Sequence, residues 1–387
     1  MKYQTYAFLI FFSVVISIYT LVNVYIFFKG QNALSLYPVI QKYYTILFWI
    51  FAFSYIAGRV LEKIWLSPFS AAFTWIGSFW LAIMLYAFLF SFSADLFKFI
   101  NWIFHFLPEK GSIQLMQLKF YYFIFSLLVI SVVVIAGFFN AVNPRVKKLD
   151  LQIDKKTGIE KLKIVAVSDI HLGTVISQSR VEKLVKLINR SNPDLVLFAG
   201  DVVDEDVGLV MRTKSAKGFQ NIKSRYGVYA ILGNHEHIGG ADEAVAYLQR
   251  YNIVFLRDSM VEIAGSVVLI GREDKDMFRF SGKSRLELYQ LMENVNKSKP
   301  VILLNHQPFN LQEVVKSGVD LQISGHTHHG QLWPFNYLTS AIFELSWGYK
   351  KIKDTHFYVS SGYGTWGPRV RVGNRPEIVE INLSFNK

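Results

Sequence analysis

Between Tyr6 and Phe28 the chain carries no charge and is interrupted only by Ser13, Ser17, Thr20 and Asn23. A helix needs roughly 20 apolar residues to cross a bilayer, and this run supplies them. It is long, no small-residue cleavage pattern follows it, and more apolar runs come after it, which together argue against a cleaved signal peptide. Ala72 to Phe92 and Phe120 to Phe139 are also long enough to cross, whereas the uncharged run between Lys42 and Arg59 is short and fits either a span or a re-entrant piece. Residues 1–142 are therefore expected to be a transmembrane helical region of about four spans. Between the last two, Asp95 to Leu107 mixes Lys98, Asn101 and His105 with Leu96, Phe99, Ile100, Ile103 and Phe104, a pattern that suits a helix lying in the membrane interface.

The pattern changes at Asn143-Pro144-Arg145-Val146-Lys147-Lys148. Residues 143–160 read as a linker and domain entry, and 161–387 as a soluble domain. There, short apolar runs (Lys163 to Val167, Asp194 to Phe198, Val228 to Leu232, Val301 to Asn305, Leu321 to Ser324) alternate with helical patterns such as Ser177 to Arg190. Such alternation predicts α/β architecture with functional residues at the carboxyl ends of the strands. The formal charge of +12 divides at Asp150 into +7 (11 Lys/Arg, 4 Asp/Glu) and +5 (30 against 25). More than half of the excess flanks the apolar runs, where basic residues meet lipid head groups, so membrane lipids are the expected partner and nucleic acid is not. With no Cys, thiolate metal sites are excluded.

Each strand-like run ends in polar residues: Asp169-Ile170-His171, Gly200-Asp201-Val202-Val203-Asp204, Gly233-Asn234-His235-Glu236, Asn305-His306 and Gly325-His326-Thr327-His328. One such residue alone is as often a turn or cap residue. Five of the nine His falling after apolar runs makes that explanation hard to sustain for the set. Imidazoles, carboxylates and a carboxamide form a mixed nitrogen and oxygen donor set, suited to Mn, Fe, Zn, Co or Ni. In Asp-x-His and His-x-His an extended backbone points both side chains the same way.

In this order the five blocks resemble the calcineurin-like metallophosphoesterase superfamily, and the membrane region, Gly325-His326-Thr327-His328-His329-Gly330-Gln331 and Gly362-Tyr363-Gly364-Thr365-Trp366-Gly367-Pro368 resemble its bacterial membrane-associated branch. The resemblance implies a four-layer αββα sandwich and two divalent transition metal ions, Mn favoured, with Fe or Zn as alternatives. It implies that Asp169, His171 and His328 hold one ion, that Asn234, His306 and His326 hold the other, and that Asp201 bridges them. His235 is then the residue that contacts the scissile phosphate or protonates the leaving oxygen, and Asp204 and Glu236 are candidate acceptors for imidazole N–H groups. The expected activity is hydrolysis of a phosphoester or pyrophosphate bond. Similar membrane-linked bacterial enzymes cleave a lipid-linked UDP-sugar, so UDP-2,3-diacylglucosamine leads the candidate substrates. The alternative is a non-catalytic metal-binding scaffold or sensor at the membrane; the filled ligand positions favour an enzyme.

Gly362 to Gly367 matches G-x-G-x-x-G but runs into Pro368-Arg369-Val370-Arg371, not a helix start, so a dinucleotide site lacks its context. Arg369 and Arg371 are candidates for gripping an anionic substrate group. Leu332, Trp333, Phe335, Tyr337, Leu338, Ile342, Phe343, Leu345 and Trp347 crowd one stretch; core packing explains them by default, and a wall facing bilayer or acyl chain is the sharper reading. With four spans, the enzyme's side of the cell membrane holds Lys2, Arg59, Lys63, Arg145, Lys147 and Lys148 against Lys29, Lys42, Lys98, Lys110 and Lys119, which points to the cytoplasm.

Overall fold

The computed structural model describes residues 2–386, with side chains described at residue 10 and from residue 13 onward. One compact unit comprises Met1–Phe139 with Gly367–Val370, the other Asn140–Trp366 with Arg371–Lys387.

The first unit is built on α1 (Lys2–Ala33), α2 (Pro38–Ile64), α3 (Pro68–Phe104) and α4 (Ile113–Val142), and each is long and apolar enough to cross a membrane. The turn into α3 is set locally: Ser67 accepts the Ser70 N–H at 3.1 Å, Ser70 Oγ accepts the Ser67 N–H at 3.0 Å, and Pro68 starts the helix. Side chains from three helices, Ile26, Phe48, Ala52 and Trp80, form the interior. Trp80 Nε1 donates to Asn23 Oδ1 at 3.0 Å, so the polar Asn23 is buried with a partner. Gly77 lets α3 approach α2 closely, since a Cβ there would stand 2.1 Å from the Tyr55 backbone nitrogen.

Two expectations change here. The run between Lys42 and Arg59 lies inside the 27-residue α2, which leaves no re-entrant piece. Asp95 to Phe104 is the continuation of the 37-residue α3, not a separate interfacial helix. Its charge is accommodated because Asp95 accepts from Tyr25 Oη at 2.6 Å and from Lys29 Nζ, both on α1.

The second unit contains two six-stranded sheets. Arg145–Lys156 (β1), Lys161–Val167 (β2), Leu195–Ala199 (β3), Val228–Ile231 (β4), Ile253–Phe255 (β5) and, from the far end of the chain, Glu377–Asn386 (β12) form the first, in the order β1-β12-β2-β3-β4-β5. Ser259–Ile263 (β6), Val267–Gly271 (β7), Val301–Leu304 (β8), Leu321–Ser324 (β9), Gly348–Ile352 (β10) and Thr355–Val359 (β11) form the second, in the order β10-β11-β9-β8-β7-β6. Both are mixed: β12 runs antiparallel to β2, while β2 to β5 are parallel, as are β7, β8, β9 and β11.

Period-two alternation builds the layers. Leu162, Ile164 and Ala166 of β2 and Leu195 and Leu197 of β3 meet Val267, Leu269, Ile302, Leu304, Leu321 and Ile323 between the sheets. The alternate residues Val165, Val167, Val196 and Phe198 face Val181, Leu184 and Ile188 of α5 (Gln178–Ser191), while Val268, Ile270, Val301 and Leu303 face Leu288, Leu311 and Val314 from helices of the opposite layer. The result is the four-layer αββα sandwich. The stretch read as a linker is in fact the 12-residue β1, paired in parallel with β12 from Arg145↔Glu377 onward. Its lysines and alternating polar residues suit an exposed sheet edge, which hid it from a search for apolar runs.

Replacing Gly77 by Leu should separate α2 from α3. Overpacking of this kind costs roughly 1–3 kcal/mol, so thermal unfolding of the detergent-solubilised protein should begin several degrees lower than that of the wild type.

Candidate metal centre

Five strand ends meet at one place. Asp169 and His171 follow β2, Asp201 and Asp204 follow β3, Asn234 and His235 follow β4, His306 follows β8, and His326 and His328 follow β9. Asp169, His171, Asp201, His326 and His328 all adopt positive φ between 45° and 70°. For residues other than Gly this left-handed conformation is uncommon and persists only where neighbouring structure determines it. Here the backbone does so: His171 N–H donates to Asp201 O at 2.9 Å, Asp169 N–H to Gly200 O at 3.0 Å, and Gly364 N–H to Asp169 O at 2.7 Å. Gly325 must lack a side chain, because a Cβ would stand 2.3 Å from Asp169 Oδ2.

The donor atoms converge. His171 Nε2 and His328 Nε2 are 3.0 Å apart, and His328 Nε2 lies 3.5 Å from Asp169 Oδ1. On the other side His306 Nε2 lies 3.1 Å from Asp201 Oδ2, and His326 Nδ1 lies 2.8 Å from Asn234 Oδ1. Asp201 Oδ2 is 3.9 Å from His171 Nε2, which places this carboxylate between the two groups. Asp169, His171 and His328 could hold one metal ion and Asp201, His306 and His326 another, each set offering donor atoms within 4.8 Å of one another.

A physical test supports a cation. His306 Nδ1 lies 2.7 Å from the carbonyl oxygen of Ala199, which can only accept, so the neutral ring carries its proton on Nδ1 and presents a lone pair at Nε2. That lone pair faces Asp201 Oδ2, a second acceptor, in a buried setting. Two such acceptors repel unless an extra proton or a metal ion joins them. Without an ion the extra proton is the answer: burial opposes it, but Asp201 holds His306 well above the usual imidazole range. His326 is pulled down to about 3 by burial and then by the charge of His306, and His328 is held well below its ordinary value by burial, His171 and Arg371. Both are neutral at physiological pH, the form a metal ligand requires.

His235 is in a different state. Burial alone would lower it, but the charges of Asp201 and Asp204 outweigh burial and push it up to about 10. Its Nδ1 lies 3.0 Å from Asp204 Oδ1, and the His171 ring meets its face edge-on at 4.5 Å. Asp204 also lies 3.5 Å from His171 Nδ1, and the two neighbouring imidazoles hold it well below the usual carboxylate range against the effect of burial.

A model of the calcineurin-like phosphoesterase family matches residues 162–330. An uncharacterised metallophosphoesterase of Campylobacter jejuni is 32% identical over 98% of this chain and 100% of its own length. The chain belongs to the calcineurin-like metallophosphoesterases. A metallophosphoesterase of Aquifex aeolicus is 33% identical over 62% of this chain and 91% of its own. A transmembrane protein with a metallophosphoesterase domain from Bos taurus is 30% identical over 67% of this chain and 61% of its own. As a member of this dimetal-dependent family, the metallophosphoesterase is a metal-dependent hydrolase acting on phosphate-containing substrates.

Three side chains named from sequence stand elsewhere than expected. Glu236 accepts no imidazole: it is fully buried and takes the backbone N–H groups of Asp201 at 3.1 Å, Val203 at 2.8 Å and Gly233 at 2.8 Å, because the short helix Asn234–Gly239 turns it back toward the β3 loop. Arg371 does not face open space. It is fully buried, with Nη2 donating to Gly364 O at 2.6 Å and lying 3.1 Å from His328 Nδ1, so it braces the His328 ring from behind. Arg369 groups with the helical unit, its guanidinium over the rings of Trp75 and Phe138. One acidic residue of the wall went unnoticed: Asp274, just past β7, is buried and accepts from Gln307 Nε2 at 2.8 Å. It lies past a strand end like the others, and β7 is among the strands missing from the sequence reading.

Calorimetric titration of the chelator-treated metallophosphoesterase with Mn should give two bound ions, and Asp201→Ala should lose at least one of them. Undiminished binding would show that the acceptor pair is joined by protons. A second check uses pH. A raised His pKa contributes stability that is present below about 6.5 and lost as pH rises toward about 10. In chelator, wild-type melting temperature should therefore fall across that window more steeply than that of His235→Asn.

Proposed function

We propose that this metallophosphoesterase works at a membrane surface and hydrolyses a phosphoester or pyrophosphate bond in a lipid-linked compound, UDP-2,3-diacylglucosamine being the leading candidate. One observation carries the lipid part. Directly after the His328 turn, the helix Phe335–Ile342 has no buried residue, and it leaves Tyr337, Leu338 and Ile342 at 66%, 57% and 55% exposure. Trp333 beside it is also exposed, and no charge interrupts Gln331 to Phe343. An apolar helix left open beside a catalytic centre suits an acyl chain or bilayer surface better than water. In this reading residues 1–142 anchor the enzyme in the cell membrane, 143–160 enter the soluble domain through β1, and 161–387 carry out catalysis on the cytoplasmic side.

Asp169, His171 and His328 would hold one ion and Asn234, His306 and His326 the other, with Asp201 shared. The mixed nitrogen and oxygen donor set suits Mn, with Fe or Zn as alternatives. Bound there, two such cations would supply the charge that lowers the pKa of a water and neutralises phosphoryl oxygens. The rest falls to the chain. His235 keeps its extra proton through neutral pH and stands beside Asn234, placed to stabilise the phosphoryl oxygens or protonate the departing oxygen. Asp204, 3.0 Å from Nδ1, would orient the ring and leave Nε2 for the substrate.

The test is turnover by the detergent-purified, Mn-loaded protein on p-nitrophenyl phosphate and on UDP-2,3-diacylglucosamine in mixed micelles. The lipid should be the better substrate, and His235→Ala should lower its kcat by about 100-fold or more. Leu338→Asp with Ile342→Asp should raise KM for the lipid about tenfold relative to that for p-nitrophenyl phosphate. Turnover of the small ester without the lipid would remove the lipid-linked part of the reading.

A further inference from the structure

Beside the metal centre stands a cation that ligand binding and proton transfer leave unused. Lys275 follows Asp274 in the loop after β7, is exposed, and holds Nζ 3.7 Å from the centroid of the Phe309 ring. Phe309 lies in the loop after β8 that carries His306, and its ring packs against Phe343 at 4.7 Å. Phe343 in turn meets the His326 ring edge-on at 5.9 Å. Three loops thus contribute to one wall that runs from an exposed ammonium to His326.

Lys275 has no carboxylate partner within 4.0 Å among the described residues. A ring face holds an ammonium weakly and leaves its charge uncompensated, and a lysine is a compact point charge that a phosphate can recruit. The charge is already felt at the site, since Lys275 is one of the groups that depress His326. Phe309 and Phe343 are both partly exposed, so the wall pairs one cation with two rings.

We propose that Lys275, Phe309 and Phe343 form a subsite for a second anionic group of the substrate, the phosphoryl group adjoining the one that is cleaved. This selects pyrophosphate-linked compounds over simple monoesters. The inference rests on the phosphoester-hydrolase reading of the metal centre, and it names the feature of the substrate that lies beyond the scissile phosphorus. Phe309 keeps the ammonium near the mouth of the site, and Phe343 sets the spacing between it and the ligand His326.

Calorimetry on the full-length, Mn-loaded protein in detergent tests it with two probes: AMP, with one phosphoryl group, and α,β-methylene-ADP, with two phosphoryl groups and a bridge that resists hydrolysis. The wild type should bind the second more tightly. Lys275→Gln should weaken α,β-methylene-ADP about tenfold and AMP less than about twofold, and Lys275→Arg should restore most of the difference. Equal losses for the two probes, unchanged binding of α,β-methylene-ADP, or a wild type that does not distinguish them would each overturn the proposal. Matching melting curves for the three proteins show that the comparison reads binding and not folding. A wild type that hydrolyses no phosphoester would strike the hydrolase reading instead, while the calorimetric comparison still decides the role of Lys275.

Discussion

In the interior of the soluble unit, His306 Nε2 and Asp201 Oδ2 meet at 3.1 Å although the Ala199 carbonyl has already claimed the ring's own proton. Burial removes water as a remedy, so this contact is tolerable only with a positive charge between or on the partners. Much of the domain can be understood as the apparatus that keeps such a contact in place. Both sheets bring strand ends to it, and Glu236, itself fully buried, gives up its carboxylate to three backbone amides of the β3 and β4 loops. A side chain that could have served the chemistry is used to hold the loops that do.

The same economy explains the backbone. Five of the candidate ligands sit at positive φ, a conformation that Asp, Asn and His tolerate better than β-branched residues because their short polar side chains can bond locally. A regular strand end would send Asp169 and His171 along the sheet. The left-handed kink turns them inward, and cross-loop bonds such as His171 N–H to Asp201 O hold it there. Arg371 extends the support outward: its guanidinium bridges the Gly362 to Gly364 backbone and the far nitrogen of His328, so the glycine-rich turn acts as a brace and not as a phosphate loop.

How much of this the sequence discloses follows from how local each cause is. Period-two alternation and the polar residues that end each run are local, and they disclose β2, β3, β4, β8 and β9 together with the residues that follow them. β1 escapes because Arg145, Lys147 and Lys148 belong to an exposed edge, where charge replaces the apolar pattern. The end of α3 is misread for a similar reason: Asp95 looks like the end of a span until Tyr25 and Lys29 on α1 supply its partners. The burial of Arg371 and the backbone role of Glu236 depend on carbonyls and amides distant in sequence, which no reading of neighbours reveals. Asp274 is a different case, legible in principle by the strand-end rule and missed only because β7 was.

A division of labour along the loops then follows. The residues that immediately end the strands are buried, mutually bonded and fixed, as a two-ion centre requires. One step further out, the same loops become partly or fully exposed and change character: Lys275 after Asp274, the half-buried Phe309 after His306, and the uncovered helix Phe335–Ile342 after His328. Apolar surface in that position gains nothing from water, and an ammonium resting on a ring has no structural partner to serve. These outer residues contribute little to the stability of the sandwich, so their composition is free to answer to what approaches the centre. On the proposed reading the chemistry lies in the strand ends and the selection in the loops beyond them, two layers that can vary separately on one scaffold.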